Sequence, residues 1–208
     1  MHSNSKSPDI KKLKQALRIK IWDLLMTKKI ASFPLPCHGR IPNFKSASIT
    51  ANLLKTLPEF QNSHWILVSP DSPQRPIRKL VLESAKKLLM PSPRLKSGYL
   101  LIDAPPSLSI KASSLSNALK FSKKITHIPH IDLAIIGSVA IDLHGNRLGK
   151  GGGYGDQEIK LARKFNATII SNIHSLQILP TIPTEPWDQK IDIIITEKEI
   201  IRINKMNK

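Results

Sequence analysis

A glycine-rich run between an apolar stretch and a helical pattern constrains this chain most. Six of the nine glycines fall within residues 145–156, whose sequence is GNRLGKGGGYGD. The run follows the apolar stretch 131–141 and precedes a helical pattern over about 156–165. Glycine backbone can approach an anion closely, and the amino end of a helix adds positive potential. A strand, a glycine-rich turn and a helix in this order predict a loop that holds a phosphate group.

Charged side chains within the run support that prediction. Arg147 and Lys150 supply cations for phosphate oxygens, and Asp156 offers a carboxylate to a metal ion. The spacing is neither that of a P-loop nor that of the dinucleotide-binding fingerprint. A nucleotide or another polyphosphate is therefore the favoured ligand. A flexible surface turn, with Asp156 merely capping the next helix, is the alternative.

Composition sets the class of protein. The chain has 208 residues, which fits one domain with an aliphatic core, and the single cysteine, Cys37, excludes an intramolecular disulfide. No apolar run approaches the ~20 residues of a membrane span, and the N-terminal residues lack a secretory signal. We therefore expect a cytoplasmic, monomeric protein without membrane contact. The net charge of +17 favours polyanionic partners, nucleic acid among them, although a solvated basic surface is an equal alternative.

Hydrophobic periodicity predicts helices that alternate with short strands. Helices are expected over 10–29, 48–57, 77–87, 114–122 and 156–165, and strands over 64–68, 87–90, 99–102, 131–141, 167–170 and 191–195. This alternation predicts an α/β sandwich with a largely parallel sheet. The expected organisation is a disordered segment 1–9, one α/β domain over 10–200 and a basic C-terminal tail over 201–208.

The glycine-rich run also resembles a family signature. Residues 147–156, RLGKGGGYGD, are similar to R-L-G-x-G-x-G-Y-Y-D-R of the 5-formyltetrahydrofolate cyclo-ligase family, also called methenyltetrahydrofolate synthetases. Lys14, Leu17 and Arg18 resemble the family's K-x-x-L-R, and weaker similarity extends to Thr196. Segments 33–36, 40–45 and 91–95 look like those of a divergent subgroup, the methenyltetrahydrofolate-synthetase-domain proteins.

The resemblance implies a fold, an activity and a set of site residues. The implied fold is a three-layer α/β sandwich with a mostly parallel sheet, similar to the sugar-isomerase and CoA-transferase folds. The implied reaction uses ATP and Mg²⁺ to convert 5-formyltetrahydrofolate into 5,10-methenyltetrahydrofolate through a phosphorylated formyl group. Arg147 and Lys150 would be catalytic and Asp156 would bind the metal. The residues that would bind ATP are Lys14, Arg18, Arg147, Gly149, Lys150, Gly151, Gly152, Gly153 and Tyr154.

Three departures from the family pattern leave the substrate open. Gly155 and Gln157 replace the second Tyr and the Arg of the signature, and the family's early folate-site glutamate has no acidic counterpart in 44–54. The substrate-binding residues are therefore unassigned. The second hypothesis is a non-catalytic nucleotide- or RNA-binding protein on the same scaffold. A carboxylate near the loop from elsewhere in the chain, such as Glu59 or Glu83, would favour the enzyme.

Overall fold

The structure, a computed structural model, describes residues 9–128 and 130–203. The predicted disordered segment 1–9 lies outside the described residues except for Asp9, as do residues 204–208 of the predicted tail. The helices are α1 (Ile10–Thr27), α2 (Ala47–Thr56), α3 (Pro58–Gln61), α4 (Arg75–Glu83), α5 (Ser109–Ala112), α6 (Leu115–Ala118) and α7 (Tyr154–Arg163). The strands are β1 (Trp65–Val68), β2 (Lys87–Pro91), β3 (Tyr99–Ile102), β4 (Ser122–Lys124), β5 (Leu133–Ile135), β6 (Ala140–Asp142), β7 (Arg147–Leu148), β8 (Thr168–Asn172), β9 (Ile178–Leu179), β10 (Ile193–Ile195) and β11 (Ile200–Arg202).

The main sheet has its parallel strands in the middle. Its strand order is β11-β10-β8-β5-β1-β2-β3-β4. The pairs from β10 to β2 are parallel, whereas β11, β3 and β4 pair antiparallel with their neighbours. The parallel strands are short and almost entirely buried, as expected for strands covered on both faces. The prediction of an α/β fold with a mostly parallel sheet is confirmed.

Alternate residues of the strands enter two separate hydrophobic clusters. Ile66 and Val68 of β1 face a cluster that contains Leu54 of α2 and Ile77 of α4. Leu67, between them, faces a cluster that contains residues of α7. Because successive side chains of a strand point to opposite faces, both faces of the sheet are buried under helices. This arrangement forms the three layers and fixes α7 against one face.

A small second sheet carries the start of the glycine-rich run. Its strand order is β7-β6-β9, and it shares a third hydrophobic cluster with Ile21, Trp22 and Leu25 of α1. The buried carboxylate of Asp142 accepts hydrogen bonds from the backbone N–H groups of His144, Asn146 and Ile182. These bonds satisfy turn donors that would otherwise be buried without partners. The small sheet therefore places β7, and the loop that follows it, beside α1.

Three sequence predictions about secondary structure were wrong in detail. The stretch 131–141 is two strands in different sheets, β5 and β6, with residues 136–139 between them. Gly137, in this connection, lies close to the side chains of Asp71 and Gln74. The predicted helix 114–122 is shorter, and its last residue begins β4, which pairs with β3. The predicted tail begins inside β11, whose pairing with β10 outweighs the local basic composition.

Within the described ranges, no helix is both long and apolar enough to cross a membrane.

Candidate functional site

One cavity of about 990 Å³ opens where the carboxyl end of β1 meets the glycine-rich loop and the first half of α1. Every residue predicted for the site lines it. Ligands of parallel sheets bind beyond the carboxyl ends of the strands, and this cavity lies there. The residues predicted from sequence and brought together by the fold are Lys14, Arg18, Arg147, Gly149, Lys150, Gly151, Gly152, Gly153, Tyr154 and Asp156.

The glycine-rich loop leads directly into the amino end of α7. Gly151 and Gly153 have φ values of 105° and 71°, which side chains with a Cβ rarely adopt. Gly153 precedes the first residue of α7, and no side chain caps that helix end. The first N–H groups of α7 therefore remain available beside the cavity. Free N–H groups and the helix dipole together suit an anion such as phosphate.

Arg147 lies buried under the loop, with its side chain 3% exposed. Its Nη1 donates to the carbonyl oxygen of Gly137 at 3.0 Å, and its Nη2 pairs with Oδ1 of Asp156 at 2.9 Å. A Cβ at Gly149 or at Gly155 would lie 2.8 Å from a guanidinium nitrogen. These two glycines therefore provide the space that the guanidinium occupies. Its Nε is buried without a hydrogen-bond partner among the described residues.

Lys14 and Arg18 reach the cavity from successive turns of α1. The buried Lys14 donates to Oε2 of Glu185 at 2.7 Å and also to Oδ2 of Asp188. Burial alone would lower the pKa of Lys14, but the two carboxylates outweigh it and the pKa is raised. Lys14 is therefore a cation whose charge two acidic residues already compensate.

Arg18 contacts the glycine-rich loop itself. Its Nε donates to the carbonyl oxygen of Gly149 at 2.7 Å, and its guanidinium lies near Gly151. Burial, with the nearby positive charge of Arg147, lowers the pKa of Arg18. No carboxylate of the described residues pairs with Arg18 directly, so its charge faces the cavity uncompensated by any ion pair.

Lys150 is held at the opposite side of the loop by a carboxylate. Its Nζ lies 2.9 Å from Oδ1 of Asp71, and its side chain is 41% exposed. Asp71 comes three residues after β1, and its carbonyl oxygen accepts a hydrogen bond from Arg78. Arg78 is buried and donates to the carbonyl oxygens of Ser69, Asp71 and Ser113. Burial lowers the pKa of Arg78 to about 10, which leaves it a cation at neutral pH.

Glu158 is a buried acid that the sequence prediction missed. It lies on the sheet-facing side of α7 with Ile159 and Ala162, and its Oε2 accepts from the hydroxyl of Ser69 at 2.6 Å. Burial raises its pKa to about 7, an effect that the nearby Asp71 reinforces and the Ser69 hydrogen bond opposes. A glutamate within the apolar stripe of a predicted helix was the signal that could have identified it.

Asp156 is the carboxylate predicted to bind a metal ion. Its Oδ1 forms the ion pair with Arg147 and accepts, at 3.4 Å, from the backbone N–H of Gln189, while its Oδ2 takes no hydrogen bond from a described residue. Among those residues, no group of three or more His, Cys, Asp or Glu side chains could hold a metal ion. Mg²⁺ is often held by one carboxylate together with substrate phosphates and waters. The free Oδ2 of Asp156 fits that mode and not a cage made of protein ligands.

Two carboxylates named as candidates near the loop lie elsewhere. Glu59 pairs with Arg202, and Glu83 pairs with Lys79 on the surface of α4. Neither lines the cavity. They lie on α3 and α4, away from the carboxyl ends of the strands. The sequence proposal for these two residues was therefore wrong. The acidic residues that line the cavity are Asp71, Asp156, Glu158, Glu185 and Asp188.

Exposed cations and aromatic rings also line the cavity. Phe33 is 81% exposed and Trp187 is 57% exposed. Within the part of the chain that the structure describes, five exposed cationic side chains of the cavity lining have no carboxylate partner. They are Lys11, Arg40, Arg75, Arg94 and Lys160. This rim is therefore strongly positive and presents flat apolar surfaces.

Comparisons of the sequence with known proteins identify the family of the chain. Residues 10–197 match the model of the 5-formyltetrahydrofolate cyclo-ligase family. A mouse methenyltetrahydrofolate synthase domain-containing protein is 37% identical over 202 residues, covering 90% of this chain and 54% of the mouse protein. The chain therefore spans about half the length of the curated relatives it matches most extensively.

Solved structures share the fold. The NMR structure of 5,10-methenyltetrahydrofolate synthetase from Aquifex aeolicus superposes with a TM-score of 0.62 at 21% identity, covering 94% of this chain and 95% of that one. The corresponding synthetase from Mycoplasma pneumoniae gives a TM-score of 0.56 at 18% identity, covering 88% and 98%. At these identities the comparison concerns the fold alone.

Proposed function

Because the chain belongs to the 5-formyltetrahydrofolate cyclo-ligase family, we propose that it uses ATP to close 5-formyltetrahydrofolate into 5,10-methenyltetrahydrofolate. The observation that carries the proposal is the meeting of the family's signature loop, the amino end of α7 and the cations of α1 in one cavity. Phosphoryl transfer needs positioning and neutralisation of charge more than covalent chemistry from the protein. The cavity supplies both.

Each residue of the loop has a proposed task. The backbone N–H groups of residues 149–154 cradle the triphosphate, and the guanidinium of Arg18 neutralises it from the opposite side. Arg147, fixed by Gly137 and Asp156, orients the loop and adds positive potential beneath it. Lys150 moves from Asp71 to the transferred phosphoryl group, which its exposed position allows. Lys14 orders the cavity wall by pairing with Glu185 and Asp188.

The proposed reaction has two chemical stages. The formyl oxygen of the folate first takes the terminal phosphoryl group of ATP, which makes the formyl carbon electrophilic. N10 of the folate then attacks that carbon, the ring closes, and phosphate leaves as N10 loses its proton. Bound Mg²⁺, held by Asp156 and the phosphates, would supply charge neutralisation during the first stage. The protein's part is to hold the two substrates in line and to keep water away from the activated carbon.

The test is ATP hydrolysis by the purified protein with Mg²⁺, measured with and without 5-formyltetrahydrofolate. The absorbance of the methenyl product is followed in parallel. We expect phosphate release that depends on the folate and product absorbance that rises with it in equal amounts. Release of phosphate without product, or no response to the folate, would reject the proposal. A Lys150→Met variant serves as the control for contaminating ATPases, because we expect it to lose the folate-dependent part.

The cationic rim supports a second candidate, a protein that binds single-stranded nucleic acid. Five unpaired cations attract a phosphate backbone, and the exposed rings of Phe33 and Trp187 offer stacking surfaces for bases. This candidate predicts affinity for a labelled oligonucleotide that falls steeply with salt. An Arg40→Glu, Arg94→Glu double variant should abolish that binding. Affinity that is absent at low salt, or equal in the variant, would reject it.

A further inference from the structure

One acid of the cavity has no cationic partner. Five acidic residues line the cavity, and four of them pair with a cation: Asp71 with Lys150, Asp156 with Arg147, and Glu185 and Asp188 with Lys14. Glu158, the fifth, makes no ion pair with any described residue. Unlike the other four acids, Glu158 therefore does not fix the loop or α1 through an ion pair.

One carboxyl oxygen of Glu158 is fixed by a hydrogen bond, and the other accepts none from a described residue. The residue is 4% exposed, and the Ser69 hydroxyl fixes Oε2 at 2.6 Å. Oε1 accepts no hydrogen bond from a described residue, although Glu158 lines the cavity. Oε1 is therefore an acceptor open to the cavity, on a side chain that the Ser69 hydroxyl holds in place. A ligand in the cavity can donate a hydrogen bond to it.

The surroundings of Glu158 show where that ligand lies. The charged or titratable groups that act on it are Asp71 after β1, Arg147 of β7 and Lys150 of the loop. Burial raises the pKa of Tyr99 on β3, and the charge of Glu158 raises it further. Arg147 and Lys150 belong to the proposed phosphate cradle. A group that contacts Oε1 therefore lies directly beside the phosphate that is transferred.

We propose that Glu158 recognises the reduced pterin ring of the folate, with Oε1 accepting a hydrogen bond from a ring N–H or amino group. The proposal rests on the proposed function. The ring carries the formyl group, so it must approach the terminal phosphate, and its N–H and amino groups are donors that a carboxyl oxygen complements. A site built to accept such a hydrogen bond discriminates strongly against ligands that lack the donor. The segment 44–54 contains no acidic residue, and Glu158 on α7 supplies a carboxyl group instead.

The test compares Glu158→Gln with the matched variant Glu83→Gln. Glu83 is exposed on α4 and pairs with Lys79 outside the cavity. In Glu158→Gln the amide oxygen still accepts from Ser69, while the amide N–H₂ group faces the ligand and opposes a ring donor. Calorimetry measures the Kd of 5-formyltetrahydrofolate in the presence of a non-hydrolysable ATP analogue, and the Kd of the analogue alone. We expect Glu158→Gln to weaken folate binding roughly 10- to 100-fold. Binding of the analogue should stay within twofold, which also shows that the variant folds, and Glu83→Gln should match the unmodified protein.

A second variant tests the positioning of the acid. Ser69→Ala keeps the carboxyl group but removes the hydroxyl that fixes it, so we expect weaker folate binding than in the unmodified protein and stronger binding than in Glu158→Gln. Folate affinity of Glu158→Gln equal to that of the unmodified protein would overturn the role of Glu158 while leaving the cyclo-ligase proposal intact. An unmodified protein that binds the ATP analogue but no folate would overturn both.

Discussion

Arg147 and Asp156 form an ion pair that joins β7 to the first turn of α7, with 2.9 Å between Nη2 and Oδ1. The Arg147 side chain is almost fully buried, whereas the Asp156 side chain is 22% exposed. The carboxylate therefore has two functions in this structure. One oxygen compensates a buried guanidinium, and the other remains open to the cavity.

Substitutions of Asp156 should separate these two functions. Asp156→Ala leaves the Arg147 guanidinium buried without its carboxylate, and we expect a loss of about 2–4 kcal/mol in the free energy of unfolding. Asp156→Asn removes the charge but keeps a polar oxygen beside Arg147, so we expect a smaller loss of stability than in Asp156→Ala but the same loss of Mg²⁺-dependent turnover. Urea unfolding and turnover at several Mg²⁺ concentrations measure the two effects. Normal Mg²⁺-dependent turnover in the Asp156→Asn variant would show that Asp156 does not bind the metal ion.

A methyl group at Gly155 should disturb nucleotide binding without unfolding the protein. In Gly155→Ala the new Cβ would lie 2.8–2.9 Å from three guanidinium atoms of Arg147, so the flexible end of that side chain must move. Alanine favours a helix over glycine by about 1 kcal/mol, which offsets part of the cost. Because the shift disturbs the buried pair of Arg147 with Asp156, we expect a loss of up to about 2–4 kcal/mol in the free energy of unfolding. ATP affinity should fall roughly tenfold, about 1.4 kcal/mol. ATP affinity at the level of the unmodified protein would show that the position of Arg147 does not matter for binding.

Removing the charge of Asp71 should tighten ATP binding. Asp71 pairs with Lys150, and the side chain of Lys150 is partly exposed, so the pair competes modestly with a phosphate for the same ammonium group. Exposed ion pairs contribute about 0.2–1 kcal/mol, so we expect Asp71→Asn to lower the Kd of ATP by up to about fivefold. Titration of both proteins with a fluorescent ATP analogue measures the change. Lys150→Met, with Asp71 retained, should instead raise the Kd of ATP. A lower Kd in Lys150→Met than in Asp71→Asn would contradict the role of Lys150.

The buried acid Glu158 makes stability depend on pH. Its pKa is raised from 4.5 to about 7 in the folded state, chiefly by burial, so the folded protein binds this proton more tightly than the unfolded chain does. Stability from this group is therefore greatest below about pH 4.5 and is lost as the pH rises to about 7. The neutral Glu158→Gln variant avoids that loss.

We therefore expect Glu158→Gln to gain stability relative to the unmodified protein as the pH rises. The difference should be smallest near pH 4.5 and reach at most about 3 kcal/mol at pH 8. Urea unfolding of both proteins at pH 5, 6, 7 and 8 measures it, with Glu83→Gln as the exposed control. A difference that does not change with pH would show that Glu158 ionises normally.

The sequence was sufficient to predict the side of the cavity that the glycine-rich loop and α1 form, because the residues of each lie close together in the chain. The glycine-rich loop and Arg147 lie in one short stretch, and the spacing of Lys14 and Arg18 places them on adjacent turns of one helix face. The structure brings all of them to one cavity. Their binding of ATP and Mg²⁺ stays a prediction.

The remaining features depend on contacts between distant segments. Gly137, between β5 and β6, lies close to the side chain of Asp71, more than sixty residues earlier in the chain. The hydrogen bond that fixes Glu158 comes from Ser69, which follows β1 and lies 89 residues earlier in the chain. Neither contact has a local pattern from which it could be predicted.

The ion pairs of Lys14 have a consequence for the synthesis of the protein. Lys14 and its partner Glu185 are 171 residues apart, and Asp188 is farther still. At the usual rate of translation, these carboxylates follow Lys14 out of the ribosome by roughly 10–30 s. During that interval α1 can form, but the cavity wall that it shares with residues 185–188 cannot. The cavity is therefore completed only after residues 185–188 have been synthesised, and a fragment that retains the glycine-rich loop without them lacks the wall that Glu185 and Asp188 build.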